Sequence, residues 1–338
     1  MDDELYSQYA LRPVAPEDTA AVVAVINQFS QTFGNFAEET VEGLAGFWKT
    51  PGIAPADDLR VLVAADGRIA GYAETTAWNE VPVHPNIYQR VLPELVGSPA
   101  HAQLLDWAIA RSHAVLDKVP EDLRVSIGTF SLMDIPAQEA LLAERGFSKT
   151  RYTFEMGIAL NGEIPAPQWP HGIRLQPFDL ERDLRKVYAA HDQAFEDHFG
   201  HQAEEFEKGL ERFRHLLVAE GTEYDPSLWF IAMDGDEIAG YLVGRKRSDG
   251  DDLGWVNLLG VRRPWRKLGL GLALLQHGFR AFQARGWRRA ELNVDGSSLT
   301  GAVRLYERAG MQVIRRHARY EKELRAGKEL MTVELSSQ

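Results

Sequence analysis

WVNLLGVRRPWRKLGLGLALLQHGFRAFQARG, residues 255–286, changes character twice. Trp255–Val261 is short, apolar and rich in β-formers, which predicts a buried strand. A basic turn with Pro264 inside it follows, from Arg262 to Lys267. Gly269 and Gly271 then lead into Leu272, Leu275, Phe279 and Phe282 at helical spacing, and Gly286 is placed to cap that helix.

A strand that passes through a glycine turn into a helix start is a ready anion site. First-turn N–H groups have no intrahelical partner, and the helix dipole adds about half a positive charge there. Glycines at 269 and 271 allow close approach to the backbone, and Arg262, Arg263, Arg266 and Lys267 add charge around it. Two familiar phosphate loops are excluded. There is no GxxxxGK[ST], and GxGxxG would need a third glycine where Leu274 stands. What remains is Arg266-x-x-Gly269-x-Gly271, which as a pattern alone is also compatible with an ordinary basic turn.

The next segments narrow the choice. RRAELNVD (288–295) reads as a strand and GAVRLYERAG (301–310) as a helix with a glycine stop; MQVIRR and RYEKEL read as two strands joined by a short turn. The Arg266–Gly271 pattern resembles the pyrophosphate signature of the GNAT acetyltransferase family. Ala302, Tyr306, Gly310 and Met311 are similar to that family's A-x-x-x-Y-x-x-x-G-[FM] segment.

The resemblance implies acetyl-CoA as cofactor, CoA as product and no metal. It implies a diphosphate seated over Arg266, Lys267, Leu268, Gly269, Leu270, Gly271 and Leu272. The preceding strand should splay from its neighbour, leaving backbone groups of Leu259, Gly260 and Val261 for the pantetheine. A backbone N–H near Leu259 would hold the thioester oxygen as it becomes an oxyanion, an effect worth roughly 3 kcal/mol per donor elsewhere. Tyr306 would protonate the departing thiolate; without the motif it would read as a tyrosine packed on a helix face.

Two departures from the family stand out. Where many members place a basic glutamate, the matching position is Trp255, with Asn257 two residues along on the same face. Leu299 occupies a place where asparagine is frequent, leaving Ser297, Ser298 and Thr300 to cover part of that cofactor contact. The acceptor side falls to residues 194–210, where Glu196, Asp197, His198 and His201 crowd between Phe195 and Phe199. Glu196, Asp197, His198 and Asn257 are the candidate acceptor contacts; the plain alternative is an amphipathic helix end with solvated charges. Two histidines three apart are thin grounds for a metal.

At 338 residues the chain accommodates two domains, and 45% apolar with 25% charged residues is a globular balance. No run of 18 apolar residues is present and the first ten residues are acidic, so neither a membrane span nor a secretory signal is expected. A net charge of −12 argues against nucleic acid as a partner and is compatible with a cationic amine. The absence of cysteine fits the cytoplasm and excludes a cysteinyl acyl-enzyme, so acetyl transfer is expected to be direct, in a ternary complex.

The chain also repeats itself. ALRPVAPEDTAAVVAVINQF (10–29) reads as a strand and a helix, a second helix is expected near Thr40–Trp48, and LRVLVAADGRIAGYAETTAW (59–78) is a hairpin turning at Asp66-Gly67. GIRLQPFDLERDLRKVYAAHDQAF (172–195) and LWFIAMDGDEIAGYLVGR (228–245) match these in order. Ile69-Ala70-Gly71-Tyr72 recurs at 238–241, and EALLAERGF (139–147) matches VRLYERAGM (303–311). The first copy lacks the phosphate turn: its counterpart, VLPELVGSPAHAQLLDWA, has no arginine, and Leu142 stands where the second has Tyr306.

The expected fold is therefore α/β (α+β layered), two tandem GNAT-fold domains, each a mixed, mostly antiparallel twisted sheet flanked by helices. Residues 1–160 form a degenerate domain without cofactor site, 161–172 a linker, 173–325 the catalytic domain and 326–338 a tail. Two-domain GNAT proteins of the mycothiol synthase type have a similar arrangement. The expected activity is acetyl transfer to a primary amine of a small molecule, by a monomer or homodimer. The alternatives are acyl transfer in the making of a thiol metabolite and non-catalytic acyl-CoA binding.

Overall fold

The computed structural model describes residues 8–132, 135–219, 222–247, 252–296 and 301–332. In chain order the elements begin with β1 (Tyr9–Pro13), α1 (Thr19–Gly34), α2 (Val41–Phe47), α3 (Pro55–Asp58), β2 (Leu59–Ala64) and β3 (Ile69–Thr76). Next come β4 (Asn86–Val91), α4 (Pro99–His113), β5 (Val125–Leu132), α5 (Pro136–Glu144) and β6 (Ser148–Ala159). The second series is β7 (Ile173–Pro177), α6 (Leu180–Phe195), α7 (Phe206–Val218), β8 (Trp229–Asp234), β9 (Glu237–Lys246) and β10 (Leu253–Val261). It ends with α8 (Leu270–Ala284), β11 (Arg289–Asp295), α9 (Ala302–Arg308) and β12 (Gln312–Arg325).

These elements form two compact units. One contains the chain up to Tyr152 together with His317–Leu330; the other contains Thr153–Arg316 with the chain from Met331. In the first unit β1, β2, β3, β4 and β5 lie side by side, and His317–Arg325 of β12 completes the sheet against β5. In the second unit Thr153–Ala159 of β6 pairs with β11, followed by β10, β9, β8 and β7. Each unit thus takes its last strand from the other's stretch of sequence, whereas the expected division is linear, with a linker at 161–172. In each unit the strand pairing is mixed and mostly antiparallel, with a parallel pairing at β4–β5 in one and β10–β11 in the other.

The elements form where local chemistry directs them. Thr40 caps α2 by accepting from the Gly43 N–H at 3.0 Å, and Asp179 caps α6 by accepting from Arg182 N–H at 2.9 Å. Past α8, Gly286 adopts φ +80°, its N–H reaching the Gln283 carbonyl and that of Trp287 reaching Phe282. That is a Schellman stop, available to glycine at little cost. In the second unit the period of two sorts β8 and β9 onto two cores. Ala232 and Leu242 pack with Leu274, Phe279 and Phe282 of α8, whereas Ile231, Tyr241 and Val243 pack with Val187 of α6 and Phe213 of α7. The sheet is therefore covered on both faces.

Register makes the internal repeat physical. In the first unit Gly71 pairs with Val91 and Tyr72 with Arg90. In the second Gly240 pairs with Val261 and Tyr241 with Gly260. One expectation is corrected: residues 312–325 form the single strand β12, not two strands and a turn. The segment joining the two predicted pieces, His317-Ala318, has no glycine, proline or asparagine to turn on, and alternating burial runs straight through it.

Candidate functional site

β10 is bonded on one side for its whole length and on the other only at its start. It follows β9 from Gly254 to Val261, but its parallel pairing with β11 covers only Leu253, Gly254 and Trp255. From Val256 onward the two strands part, so the β11-side edge of Leu259, Gly260 and Val261 lies outside the ladder. A register shift at Asn257 marks a bulge, which is why Val256 and Leu259, three apart, both pack on the α8 side.

Gly260 has a packing reason the sequence hides. A Cβ there would lie 2.4 Å from the ring of Tyr241, which is fully buried and fixed by a 2.7 Å hydrogen bond with His191 Nδ1. Gly260→Ala is expected to cost about 2 kcal/mol through overpacking, read as a lowered denaturation midpoint. An unchanged midpoint would mean that Tyr241 moves aside freely.

The turn after β10 ends with Lys267 at φ 63° and Gly269 at φ 90°. Gly269 is the N-cap of α8 and offers no side-chain acceptor, so the helix's first N–H groups stay open to an external anion. At the corresponding helix of the first unit Ser98 caps α4, its hydroxyl accepting from His101 N–H at 3.3 Å.

Three of the four cations expected around this turn are committed to the protein. Arg262 binds Gln193 at 2.7 Å and Glu237 at 2.9 Å. Arg263 pairs with both oxygens of Asp197. Arg266 reaches Asp197 at 2.5 Å, the Ala194 carbonyl at 2.9 Å and the Val261 carbonyl at 3.0 Å. The two guanidinium groups, with the Arg263 hydrogen bond leading, hold the Asp197 carboxyl down at about 2. Asp197 is therefore the clasp that shapes the turn. Lys267 is exposed and holds no carboxylate partner among the described residues.

Two cavities flank the splayed strand. The larger, about 670 Å³, is lined by Leu259, Gly260, Val261, Arg266, Lys267, Gly269, Leu270, Gly271 and Leu272 on one side and by Gly301–Ala302, Arg304–Tyr306 and Arg308 on the other. Leu272 faces this space half-buried, whereas Leu274 and Leu275 enter the core. The smaller, about 150 Å³, is lined by Phe195, Asp197, His198, Phe199, Asn257, Asn293 and Asp295, with Val256, Leu258 and Leu259 of β10 and Leu292 and Val294 of β11. Four residues line both: His198, Leu259, Ala302 and Tyr306.

Tyr306 is 8% exposed, and burial pushes its phenol up to about 12. The His198 imidazole is held below the usual histidine range by burial and by Arg266, with its ring 4.2 Å from that of Phe195. Such a histidine is neutral at pH 7 and accepts a proton.

Of the residues read from sequence, the structure brings Leu259, Gly260, Val261, Arg266, Lys267, Gly269–Leu272 and Tyr306 onto one cavity, and Asp197, His198 and Asn257 onto the other. Leu268 is 58% exposed and Glu196 pairs with Arg263 at 3.7 Å; neither lines either cavity. Ser297, Ser298, Leu299 and Thr300 lie outside the described residues. Trp255 is buried under Arg247, whose guanidinium lies 4.3 Å from the ring centre. Arg247 and Arg315 grip the buried carboxyls of Glu155 and Glu291, and burial together with Glu155 raises Glu291 to about 7.

Sequence reasoning missed Asn293, Asp295, Arg304 and Arg308. The two arginines were legible as cations four apart astride Tyr306 on one short helix; Asn293 and Asp295 alternate on β11 with the core residues Leu292 and Val294.

Residues 185–311 match the family described as Acetyltransferase (GNAT) family. A mycothiol acetyltransferase of Salinispora arenicola is 31% identical over 80% of this chain and 82% of its own length. That of Thermobispora bispora is 34% identical, over 52% of this chain and 59% of its own length. The crystal structure of a GCN5-related N-acetyltransferase from Sphaerobacter thermophilus superposes with a TM-score of 0.77 at 30% identity, covering 95% of this chain and 98% of that one. Among the described residues no helix is long and apolar enough to cross a membrane.

Proposed function

The chain belongs to the GNAT family and is an acyltransferase, and from that premise we propose that it moves acetyl from acetyl-CoA directly to a primary amine of a small molecule. The observation that carries the reading is the meeting of the two cavities at His198, Leu259, Ala302 and Tyr306. The larger has the features an acyl-CoA requires: an uncapped helix start, a strand edge without a ladder partner and unpaired cations. Acetyl-CoA supplies an activated thioester. The phosphate turn and α8 amides bind its diphosphate, Leu259–Val261 align the pantetheine, and the Leu259 amide holds the thioester oxygen.

On the other side, Phe195, Asn257, Asn293 and Asp295 shape a small polar pocket for the amine. His198 takes the proton the amine loses on attack and Tyr306 gives one to the sulfur, so protons balance across the transfer. With no cysteine in the chain, no thioester can form on a cysteine side chain. The first unit acts as a copy of the fold without a cofactor seat. Its β4 carries Gln89, Arg90 and Val91 where β10 has Leu259, Gly260 and Val261, and all three are nearly or fully buried.

The test is a screen of amines, aminoglycosides and amino sugars with acetyl-CoA, read as free-thiol release. Acceptor-dependent release supports the reading, and its absence with every amine overturns it. A pH profile follows from the same geometry. A neutral His198 is the working form, so the rate falls as pH drops through a value below 6.5, and no alkaline fall appears by pH 10 because Tyr306 keeps its proton. His198→Gln is expected to remove the acid limb and lower kcat about 10²-fold. A limb that survives the substitution would assign the base elsewhere.

A second reading narrows the acceptor to the acetyl-accepting precursor of mycothiol, supported by identity to the Salinispora protein over most of both chains. It predicts a kcat/KM for that precursor well above that for simple amines.

A further inference from the structure

We infer that Arg304 and Arg308 form a seat for a phosphate monoester, the one carried on the ribose of coenzyme A, and that the enzyme selects acyl-CoA over acyl esters lacking it. The inference rests on the acetyl-CoA reading and assigns a charge that reading leaves unmet. The diphosphate is served by backbone amides, while Arg262, Arg263 and Arg266 are bound to Glu237, Asp197 and carbonyls of the protein itself. They are not free to meet a second anion.

Arg304 and Arg308 are free. Both line the large cavity, both are exposed, and neither has a carboxylate partner among the described residues, in a protein of net charge −12. One helical turn separates them, so the two guanidinium groups share a face and repel each other. Leaving like charges unpaired on a cavity wall costs stability unless an anion joins them. The group that fits is compact and nearly dianionic at neutral pH, with several acceptor oxygens, since guanidinium forks bind phosphate bidentately. Tyr306 lies between them in sequence but is buried, so the catalytic phenol and the arginines use different faces of α9. A terminal monoester carries close to two negative charges near neutral pH, where a diester carries one.

The test compares kcat/KM for acetyl-CoA and acetyl-dephospho-CoA in the full-length wild type and in R304Q/R308Q. Taking the ratio of the two esters within one preparation cancels any difference in active fraction. The wild type is expected to favour acetyl-CoA by about 30-fold, in line with charge-assisted hydrogen bonds, and the double variant by less than about threefold. Raising the salt concentration should erode the wild-type preference. A wild-type ratio near one would overturn the inference while leaving the acetyl-CoA reading in place. An undiminished ratio in R304Q/R308Q would do the same by assigning the monoester to other residues. No use of either ester would overturn both.

Discussion

Tyr306→Phe is expected to lower kcat by about 10²-fold or more while the KM for acetyl-CoA stays within about twofold. The phenyl ring keeps the packing of a residue that is 8% exposed, so the cleft should hold its shape, and only the proton is removed. Burial sets the phenol at about 12. At that value it never loses its proton to solvent near neutrality and is always a donor. The sulfur leaving in the same cleft is desolvated too, which raises its own proton affinity toward that of the phenol. Burial thus shifts donor and acceptor in the same direction. Steady-state thiol release with and without acceptor measures the effect. A variant with wild-type kcat would remove Tyr306 from the chemistry; a variant that lost cofactor affinity instead would make it a binding group.

Gly271→Glu is expected to weaken acetyl-CoA binding by more than about 100-fold with little change in melting temperature. Gly271 is the second residue of α8, and a Cβ there would stand 3.0 Å from Leu305 and 3.7 Å from Val261, both lining the large cavity. The added side chain therefore extends into that space and sets a carboxylate against the first-turn amides the diphosphate requires. For the fold the change is close to neutral. Glycine is a poor helix former by about 1 kcal/mol relative to alanine, and an acid in the first turn gains roughly 0.3–1 kcal/mol from the dipole. These gains offset the tight contact with Leu305. Calorimetric titration with acetyl-CoA, paired with thermal unfolding, separates lost binding from lost structure. Unaltered affinity would place the diphosphate elsewhere.

The strand, glycine turn and helix of residues 255–286 were legible because each rests on local chemistry: apolar β-formers, an uncapped glycine start and a glycine stop. The internal repeat was legible because hairpins and caps recur in order. Pairing partners were not. Asp197 clasps Arg263 and Arg266 from well over sixty residues away, and nothing in either segment's pattern specifies that contact. For the same reason the charges of the turn read as ligand contacts when three of them hold the protein together. The exchange of β6 and β12 between the units escaped as well, since alternation identifies a strand but not its neighbour. Gly260 read as part of a buried strand, and only the Tyr241 ring opposite explains why nothing larger fits.

The central claim is one acyl-CoA seat, in the second unit. The direct measurement is a crystal structure of the protein grown with acetyl-CoA. The account predicts cofactor density along Leu259–Val261 with its diphosphate over residues 266–272, and none along Gln89–Val91 and Leu95–Pro99. Density in the first unit's slot, or a diphosphate bound away from the start of α8, would contradict it.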